Sequence, residues 1–367
     1  MKILLINHYA GSPNLGMEFR PYYVTKGWVK LGHEVLIVGG SYSHLRKVQP
    51  QSCEEMIDDM RYRWVKVNPY KGNGIGRIIS MFSFVTKLYC NYRRYLRNFK
   101  PDIVIASSTY PLDIYPAYRI ARHYHAKLIY EVHDLWPLSP MELGGYSKKH
   151  PFIRIMQKAE DDCYRYADAV VSMLPKAEEH MREHGLTRDK FHYVPNGIVL
   201  SDWNNPKGIP EEHGLLLSKL RAEGKFIVGF AGAHGIANSL YAVIDAVSSL
   251  TEQNVVLVLV GGGQEKENLI KYAHKKGVTN VYFLLPINKL AIPNLLKEMD
   301  VLYIGLQKQS LFRFGISPNK MFDYMMAAKP IIQAIDAGNN LVREADCGID
   351  VEPDNVSEIS KAILALK

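Results

Sequence analysis

A lysine, an aspartate and a proline-led turn lie close together near the start of one predicted helix, where they could bind a diphosphate. Ser317 and Pro318 form a helix-start signal in which the serine caps the helix and the proline takes its first position. The N–H groups of Asn319 and Lys320 would then point out of the helix start, and the Lys320 ammonium adds a full positive charge. Asp323 follows on the same helix face and could accept hydrogen bonds from a ribose diol. We predict a nucleoside-diphosphate site, against the alternative of a well-capped surface helix.

Three glycine-rich turns each follow a short apolar run and could bring the backbone close to a ligand. Gly11 lies in the first turn, Gly232 with His234 in the second, and Gly263 in the third. Gly232 and Gly235 are predicted to open a helix that binds an anion, with His234 as a further donor to a phosphate. None of the turns is a G-x-G-x-x-G fingerprint, which disfavours an ordinary dinucleotide site. The alternatives are a plain turn with surface charges for the first, a tight turn with an exposed histidine for the second, and helix–strand packing for the third.

Polar side chains that could bind an acceptor follow two of the apolar runs. His133 comes directly after one of them, where a histidine can bond a substrate hydroxyl in either charge state because its ordinary pKa is about 6.5. Glu18 and Arg20 lie at the start of the helix that follows the first glycine turn. The alternative is a histidine satisfied by local backbone beside two surface charges.

A basic and apolar segment could bind a membrane surface. Between Arg77 and Lys100 there are six basic residues and no acidic one, interleaved with apolar side chains. Such a composition suits a helix in a membrane interface, and anionic lipid adds about 1 kcal/mol per charge near the surface. Arg93, Arg94 and Arg97 are the densest part. The alternative is a core helix with a solvated outer face; nucleic acid is disfavoured because no binding motif accompanies the charges.

Short, continuously apolar runs alternate with helical stretches and would position these side chains. Such runs are typical of parallel strands buried on both faces, so the pattern predicts a doubly wound α/β fold. In such sheets, ligands bind beyond the carboxyl ends of the strands. A polar stretch over residues 195–208, rich in Pro, Asn and Gly, precedes a restart of the pattern near Phe226, and a domain boundary is predicted within that stretch. The predicted strands are Ile3–Ile6, Glu34–Val38, Tyr62–Val67, Asp102–Ala106, Lys127–Val132, Ala169–Met173, His192–Val194, Phe226–Phe230, Val255–Val260, Val281–Leu285, Val301–Ile304, Ile331–Ala334 and Ile349–Val351.

Composition and charge restrict the class of protein. The chain has 367 residues, 47% hydrophobic and 22% charged, as in globular enzymes. Residues 1–200 hold 28 Lys and Arg against 19 Asp and Glu, so the whole excess of the net charge of +8 lies there. That asymmetry favours an anionic partner for the first half. The four cysteines are far apart and form no C-x-x-C pair, which disfavours a zinc site or disulfide framework and favours a cytoplasmic location. No apolar run is long enough for a signal peptide or a membrane span.

Five stretches, taken in order, resemble family-4 retaining glycosyltransferases of the GT-B fold, particularly members that build O-antigen or capsule repeats on a polyprenyl-diphosphate carrier. The resemblance covers essentially the whole chain. It implies two Rossmann-like domains that face a central cleft, with residues 1–197 binding the acceptor and 198–367 the nucleotide-sugar, and with the last helix returning to the first domain. The stretches are Tyr130–Pro137, Val194–Ile198, Ala231–Gly235, Val260–Gly263 and Ser317–Met325.

The resemblance also implies roles for single residues. His133 matches a histidine near the transferred sugar, Lys320 a diphosphate-binding residue and Asp323 a ribose-binding acid, while Pro286 and Ile287 match a backbone site for the base. It further implies that transfer needs neither metal nor cofactor. The donor would be an NDP-sugar, most simply a UDP-sugar, and the acceptor a lipid-linked saccharide. The enzyme would act at an anionic membrane surface on the cytoplasmic face, with no nucleic-acid partner.

Three positions depart from the family pattern. Gly315 stands where the first glutamate of the E-x7-E pattern is expected, and backbone N–H groups of Gly315–Ser317 are expected to replace it. Asn238 stands where a lysine is usual, which moves diphosphate neutralisation to Lys320 and His234. Ala328 replaces a glycine at small expected cost. A nucleotide-sugar epimerase of the same fold, or a non-catalytic protein that binds nucleotide or membrane, remains an alternative.

Overall fold

The chain folds into two compact units in a computed structural model that describes residues 1–72 and 74–367. The units are Met1–Pro195 and Asn196–Lys367, so the division falls two residues before the boundary expected from sequence. Each unit is an α/β sheet with helices on its faces, as the apolar runs predicted.

The first unit contains an eight-stranded sheet in which the first strand of the chain is central. The strand order is β3-β4-β2-β1-β5-β6-β7-β8, and every neighbouring pair is parallel except β3 with β4. The strands are β1 (Lys2–Ile6), β2 (Glu34–Gly40), β3 (Glu54–Ile57), β4 (Met60–Val65), β5 (Ile103–Ala106), β6 (Lys127–Val132), β7 (Ala169–Ser172) and β8 (Phe191–Tyr193). Its helices are α1 (Arg20–Lys30), α2 (Ile75–Leu96), α3 (Ile114–Tyr124), α4 (Leu138–Gly144), α5 (Pro151–Tyr166) and α6 (Glu178–Glu183).

The second unit contains a six-stranded, wholly parallel sheet of order β11-β10-β9-β12-β13-β14. All six residues of β10 are buried, as expected for a strand covered on both faces. The strands are β9 (Phe226–Ala231), β10 (Val255–Val260), β11 (Val281–Leu284), β12 (Val301–Gly305), β13 (Ile331–Ala334) and β14 (Gly348–Val351). The helices are α7 (Leu200–Asn204), α8 (Glu211–Ala222), α9 (Leu240–Ser248), α10 (Lys266–Lys275), α11 (Ile292–Lys297), α12 (Asn319–Met326), α13 (Leu341–Glu344) and α14 (Val356–Leu366).

The last helix packs within its own unit. Ile359 and Ile363 of α14 are fully buried in the core that Val243 and Val247 of α9 also form. Helix α14 also contacts β13 and β14. Among the helices of residues 1–72 and 74–367, none is long and apolar enough to cross a membrane.

Candidate active site

The loops after β9, β10 and β11 pack tightly at one edge of the second sheet. The Gly232 N–H donates to the Val260 carbonyl at 3.0 Å, and the His234 N–H to the Gly262 carbonyl at 2.8 Å. A Cβ atom at Gly261 would lie 1.9 Å from the Gly232 oxygen, so this position requires glycine for loop packing alone. A Cβ at Gly263 would lie 2.3 Å from the His234 oxygen. Gly261 and Gly263 are therefore required for the packing of these loops, independently of any bound ligand.

Lys320 lies in the first turn of α12 and extends to the loop after β9. Its Nζ donates to Oδ1 of Asn238 and lies 4.5 Å from the ring centroid of Phe230. Asn238 is itself fixed, since its Nδ2 donates to the Ala233 carbonyl at 3.0 Å. Burial lowers the pKa of Lys320 to about 8. The residue found where a lysine is usual therefore holds the lysine of another element, and a Cβ at Gly232 would lie 3.4 Å from the Lys320 Nζ.

The start of α12 differs from the prediction. The helix begins at Asn319, and Pro318 precedes it in an extended conformation. Ser317 does not cap the helix, because its Oγ accepts from the Asn196 N–H at 2.8 Å and its carbonyl from Asn196 Nδ2 at 2.6 Å. Within the described chain, the backbone N–H groups of Asn319 and Lys320 have no acceptor. The expected pair of N–H groups is present, and because the helix begins one residue later than predicted, Asn319 and Lys320 are its first two residues.

The backbone of residues 315–317 offers less than expected. The Gly315 N–H donates to the Phe312 carbonyl at 2.9 Å, and the Ile316 N–H to Oδ1 of Asn339 at 2.8 Å. Both groups are engaged and cannot replace a missing glutamate toward a sugar. Gly315 has φ +98°, a conformation that side chains rarely adopt. The positive φ at position 315 therefore disfavours a glutamate there.

The turn after β9 does not open an α-helix. A 3-10 turn over Ile236–Asn238 follows it, and α9 begins only at Leu240. The expected α-helix start beside Gly232 and Gly235 is therefore wrong, and a 3-10 turn takes its place. His234 is fully buried, and neither ring nitrogen has a partner among the described residues. Burial, and then the charges of Lys266 and Lys320, lowers the pKa of His234 to about 4, so the ring is neutral at pH 7.

Two lysines that the sequence reading missed lie at the same edge. Lys289 forms an ion pair with Asp323, which therefore shares its carboxylate with a cation. Lys266 Nζ donates to the Gly261 carbonyl at 2.9 Å and to the Leu284 carbonyl at 2.7 Å. Of the predicted base-binding residues, Pro286 is exposed and Ile287 half-buried. A Cβ at Gly262 would lie 3.2 Å from the Pro286 ring, so this proline borders the glycine loop.

In the first unit, the predicted acceptor residues meet around a buried glutamate. Arg20 Nε donates to Glu131 Oε1 at 3.0 Å, and Ser107 Oγ donates to Glu131 Oε2 at 2.6 Å. His133 Nε2 lies 3.2 Å from the same Oε2 and 2.9 Å from Ser107 Oγ. On the other side of the ring, Nδ1 lies 3.9 Å from Glu18 Oε1. Glu18, Arg20 and His133 thus form one cluster, organised by Glu131 and Ser107.

Adjacent elements explain why this cluster forms. Ser107 follows β5 and Glu131 lies in the neighbouring β6, so both reach the carboxyl edge of the sheet. Arg20 is the first residue of α1, and its Nη groups donate to the carbonyls of Val194 at 2.9 Å and Pro195 at 3.0 Å. The signal for Glu131 was weak, because a carboxylate inside an apolar strand reads as a surface position.

His133 and Glu131 shift each other's pKa in opposite directions. Burial opposes the charged ring, but the hydrogen bond and charge of Glu131 outweigh it and raise the pKa of His133 above its ordinary value. Burial likewise opposes the carboxylate, yet His133 and Arg20 hold the pKa of Glu131 below its usual range. Each of the two groups therefore stabilises the charged form of the other.

Gly11 is explained by its own turn. A Cβ there would lie 2.0 Å from the Gly16 carbonyl oxygen, and its N–H donates to the Glu18 carbonyl at 2.9 Å. The glycine thus closes the turn that presents Glu18.

Comparison with known proteins shows the family. The model of the glycosyl transferase 4-like domain matches residues 16–197, and that of glycosyl transferases group 1 matches residues 225–367. The chain belongs to this glycosyltransferase family. It is an enzyme that transfers a sugar, as the resemblance predicted.

Known relatives of this glycosyltransferase are distant. TuaH of Bacillus subtilis (strain 168), named as a teichuronic acid biosynthesis glycosyltransferase, is 24% identical over 215 residues, which is 56% of this chain and 50% of that protein. The chain thus matches about half the length of this curated relative.

Solved structures share its fold. HepE of Anabaena, in complex with UDP-glucose, is 17% identical with a TM-score of 0.63, over 100% of this chain and 89% of that chain. WaaG, a glycosyltransferase involved in lipopolysaccharide biosynthesis, is 16% identical with a TM-score of 0.65, over 100% of this chain and 90% of that chain. The glycosyltransferase has the GT-B fold of two Rossmann-like domains, which confirms the predicted fold class.

The basic segment of the glycosyltransferase is one long helix with a kink. Helix α2 buries Met81, Phe84 and Leu88 in the first unit and has non-helical dihedral angles at Asn91. Its opposite face leaves apolar side chains in solvent, with Ile75 76% and Ile79 56% exposed. The basic residues at its end are all exposed: Arg93, Arg94 and Arg97. The helix therefore has one face packed in the first unit and an exposed face that carries apolar and basic side chains.

Proposed function

We propose that this glycosyltransferase moves a sugar from a UDP-sugar, with retention of configuration, to a lipid-linked saccharide on a polyprenyl-diphosphate carrier, in the synthesis of a surface polysaccharide such as O-antigen. The observation that carries the donor half is the Lys320 ammonium, which Asn238 holds, together with the backbone N–H groups of Asn319 and Lys320, which have no acceptor among the described residues. Relatives solved with UDP-glucose, and with UDP and glucose, support the uridine diphosphate.

The donor would bind along the carboxyl edge of the second sheet. Its diphosphate gathers negative charge as the glycosidic bond breaks, and a fixed ammonium and two backbone N–H groups stabilise that charge without reorganisation. Lys320 supplies the ammonium, while Asn319 supplies a first-turn N–H. His234, neutral and with both ring nitrogens unpartnered among the described residues, would donate to a phosphate oxygen. Asp323 and Lys289 would meet the ribose as a pair.

The acceptor would bind at the His133 cluster of the first unit. His133 is held at Nε2 by Glu131 and Ser107, so its Nδ1 and the neighbouring Glu18 remain to contact sugar hydroxyls. No double displacement is assigned to these carboxylates, since Glu131 is engaged by Arg20 and Ser107. Front-face attack, with the leaving phosphate oxygen taking the acceptor proton, is the retaining mechanism that we propose.

The outer face of α2 would bring the enzyme to the cytoplasmic face of the membrane. Ile75 and Ile79 offer apolar contact, and Arg93, Arg94 and Arg97 offer charge to anionic lipid. A surface-bound enzyme meets an acceptor whose lipid cannot leave the bilayer. That supports a lipid-linked acceptor over a soluble one.

The donor site is tested by the affinity for UDP. Lys320→Ala should weaken binding by roughly 10- to 100-fold, because a hydrogen bond to a charged group is worth about 1.5–3 kcal/mol. Isothermal titration calorimetry measures this, with Lys297→Ala as the control because Lys297 is exposed on α11. Equal affinity of both variants would refute the phosphate site.

Acceptor dependence separates the proposal from its alternatives. Transfer predicts that UDP release accelerates when a polyprenyl-diphosphate-linked saccharide is added. An epimerase would convert the donor without acceptor, and a binding protein would hold UDP and release none by reaction.

Activity that persists in EDTA is expected, because the proposed charge stabilisation uses protein groups only. A strict Mg²⁺ requirement would contradict it.

A further inference from the structure

A second cluster of chemically active side chains lies in the first unit, outside the His133 cluster. His180 of α6 and His184 just beyond its end are one helical turn apart, and Glu160 of α5 faces them. One ligand atom from each of these three residues lies within 4.8 Å of the others. His180 Nε2 is 3.3 Å from Glu160 Oε1. Two imidazoles and a carboxylate thus converge from two helices.

Among the described residues, the basic partners of the carboxylates in this cluster are imidazoles and not lysine or arginine. The Glu160 side chain is only 1% exposed, and it accepts from Tyr164 Oη at 3.0 Å and Gln157 Nε2 at 2.7 Å. The neighbouring Asp161 contacts His184 Nδ1 at 3.0 Å, and Gln157 Nε2 lies 2.8 Å from the same nitrogen. Because an imidazole nitrogen binds either a proton or a metal ion, a metal cation could take the place of the proton between His180 and Glu160.

The geometry suits a borderline divalent metal. Tetrahedral Zn²⁺ with bonds of about 2.0–2.2 Å places two ligand atoms roughly 3.4 Å apart. The separation of His180 Nε2 from Glu160 Oε1 is 3.3 Å, which matches this spacing. Imidazole nitrogen with carboxylate oxygen is also a donor set that selects Zn²⁺ over Mg²⁺ or Ca²⁺.

We propose that Glu160, His180 and His184 bind a Zn²⁺-type transition-metal ion that joins α5 to α6, with Asp161 orienting His184 as a carboxylate neighbour. Three protein ligands leave one position for water. The ion is structural and separate from sugar transfer, so the proposal is independent of the proposed function. Without an ion, the alternative is a protonated His180 paired with Glu160.

Direct metal titration tests the site. The full chain, freed of metal by chelation and dialysis, is titrated with ZnCl₂ by calorimetry, alongside His184→Gln and the control His192→Gln. His192 is exposed on β8 and reports surface-histidine binding. We expect one saturable site in the wild type and in His192→Gln, and at least tenfold weaker binding in His184→Gln. No saturable site, or equal binding by all three proteins, overturns the proposal.

Spectroscopy and stability keep the test decisive if a variant folds poorly. Co²⁺ added to the wild type should give the intense visible bands of a tetrahedral site with nitrogen and oxygen ligands, and Zn²⁺ should remove them. Zn²⁺ should also raise the midpoint of thermal unfolding of the wild type and of His192→Gln, because a ligand that binds only the folded state stabilises it. An unchanged midpoint in the wild type, or weak octahedral Co²⁺ bands only, counts against a zinc site.

Discussion

Lys320 is a cation whose charge depends on pH near the physiological range. Burial disfavours its ammonium and lowers its pKa to about 8, while Asn238 and the Phe230 ring provide its contacts. Before UDP binds, part of the enzyme population therefore carries a neutral lysine. A bound diphosphate would restore the charge, because an adjacent anion favours the ammonium.

The affinity for UDP should consequently fall as the pH rises from 7 to 9. The free enzyme then loses the proton that UDP needs, so binding above the Lys320 pKa also requires proton uptake. In Lys320→Arg the guanidinium stays charged throughout, and its affinity should vary less over this interval. Calorimetry in buffers of different ionisation enthalpy measures both the affinity and the protons taken up. Parallel pH profiles of the two proteins would contradict this assignment.

The pKa of His133 should fall when Glu131 loses its charge. Glu131→Gln preserves an acceptor for Arg20 but removes the carboxylate that raises the His133 pKa, so that Glu18 alone opposes the lowering effects of burial and Arg20. An NMR titration of the ring should show a midpoint above about 6.5 in the wild type and a lower midpoint in the variant. A midpoint that does not move would mean that Glu131 does not control the ring.

A substitution of His133 should separate the affinity for UDP from the turnover number. His133→Ala should leave the UDP affinity within about twofold and reduce kcat, because His133 belongs to the acceptor cluster of the first unit. A coupled UDP-release assay with lipid-linked acceptor measures kcat, and His123→Ala is a control on α3. Full activity in His133→Ala would show that His133 does not belong to the active site.

At the residue scale, the sequence selected side chains that lie together in the first unit but did not reveal the contacts that join them. The types and order of Glu18, Arg20 and His133 were sufficient to select them, yet Glu131, which joins them, was read as part of a strand. Ser317 was expected to cap α12, but a bond across 121 positions, to Asn196, captures its hydroxyl. Long-range partners of this kind depend on the assembled sheet and are not encoded in local spacing.

At the scale of elements, the apolar runs predicted the bounds of several strands. The hairpin of β3 and β4 at the edge of the first sheet was not predicted. Strands β6, β10 and β13 have the predicted bounds, and β10 is an unbroken run of Val and Leu between Asn254 and Gly261. Strand β3 was missed: it pairs antiparallel with β4 at the sheet edge, and its residues are exposed or half-buried. Asp58 and Asp59, with φ of 46° and 64°, form the turn between them.

Helix α1 contains a glycine that nothing requires. Gly27 is exposed inside the helix, and a Cβ there would meet no atom within 4 Å. Gly27→Ala should therefore raise the free energy of unfolding by about 0.5–1 kcal/mol, since glycine is that much worse than alanine in a helix. Chemical denaturation followed by circular dichroism measures the gain. Gly261→Ala, with an oxygen 1.9 Å from the new Cβ, should instead destabilise the second unit.

Helix α2 should control binding to anionic vesicles. Replacing Arg93, Arg94 and Arg97 with Glu should reduce co-sedimentation with phosphatidylglycerol vesicles by more than tenfold, and high salt should weaken wild-type binding. The control replaces three exposed basic residues elsewhere in the first unit, Lys148, Lys149 and Arg154, with Glu. Both triple variants change the net charge equally, so equal losses would show that total charge, and not α2, governs binding.

At the scale of the whole molecule, the proposal assigns donor binding to the second unit and acceptor binding to the first. Saturating UDP should slow amide hydrogen exchange mainly in residues 232–238, 261–266 and 315–320 of the second unit. Peptides from the central strands of the first unit, such as residues 2–6, should be unaffected. Protection concentrated in the first unit would contradict the assignment of the donor to the second.

The position of β1 has a consequence for how the polypeptide leaves the ribosome. Its neighbours are β2 and β5, so one edge of β1 can be paired after about forty residues have emerged, whereas the other waits for residues 103–106. Throughout that interval the nascent chain exposes an apolar, unpaired backbone edge, which attracts chaperones and invites aggregation. Synonymous codons that slow translation between residues 40 and 103 would lengthen the exposure and lower the soluble yield without altering the finished protein.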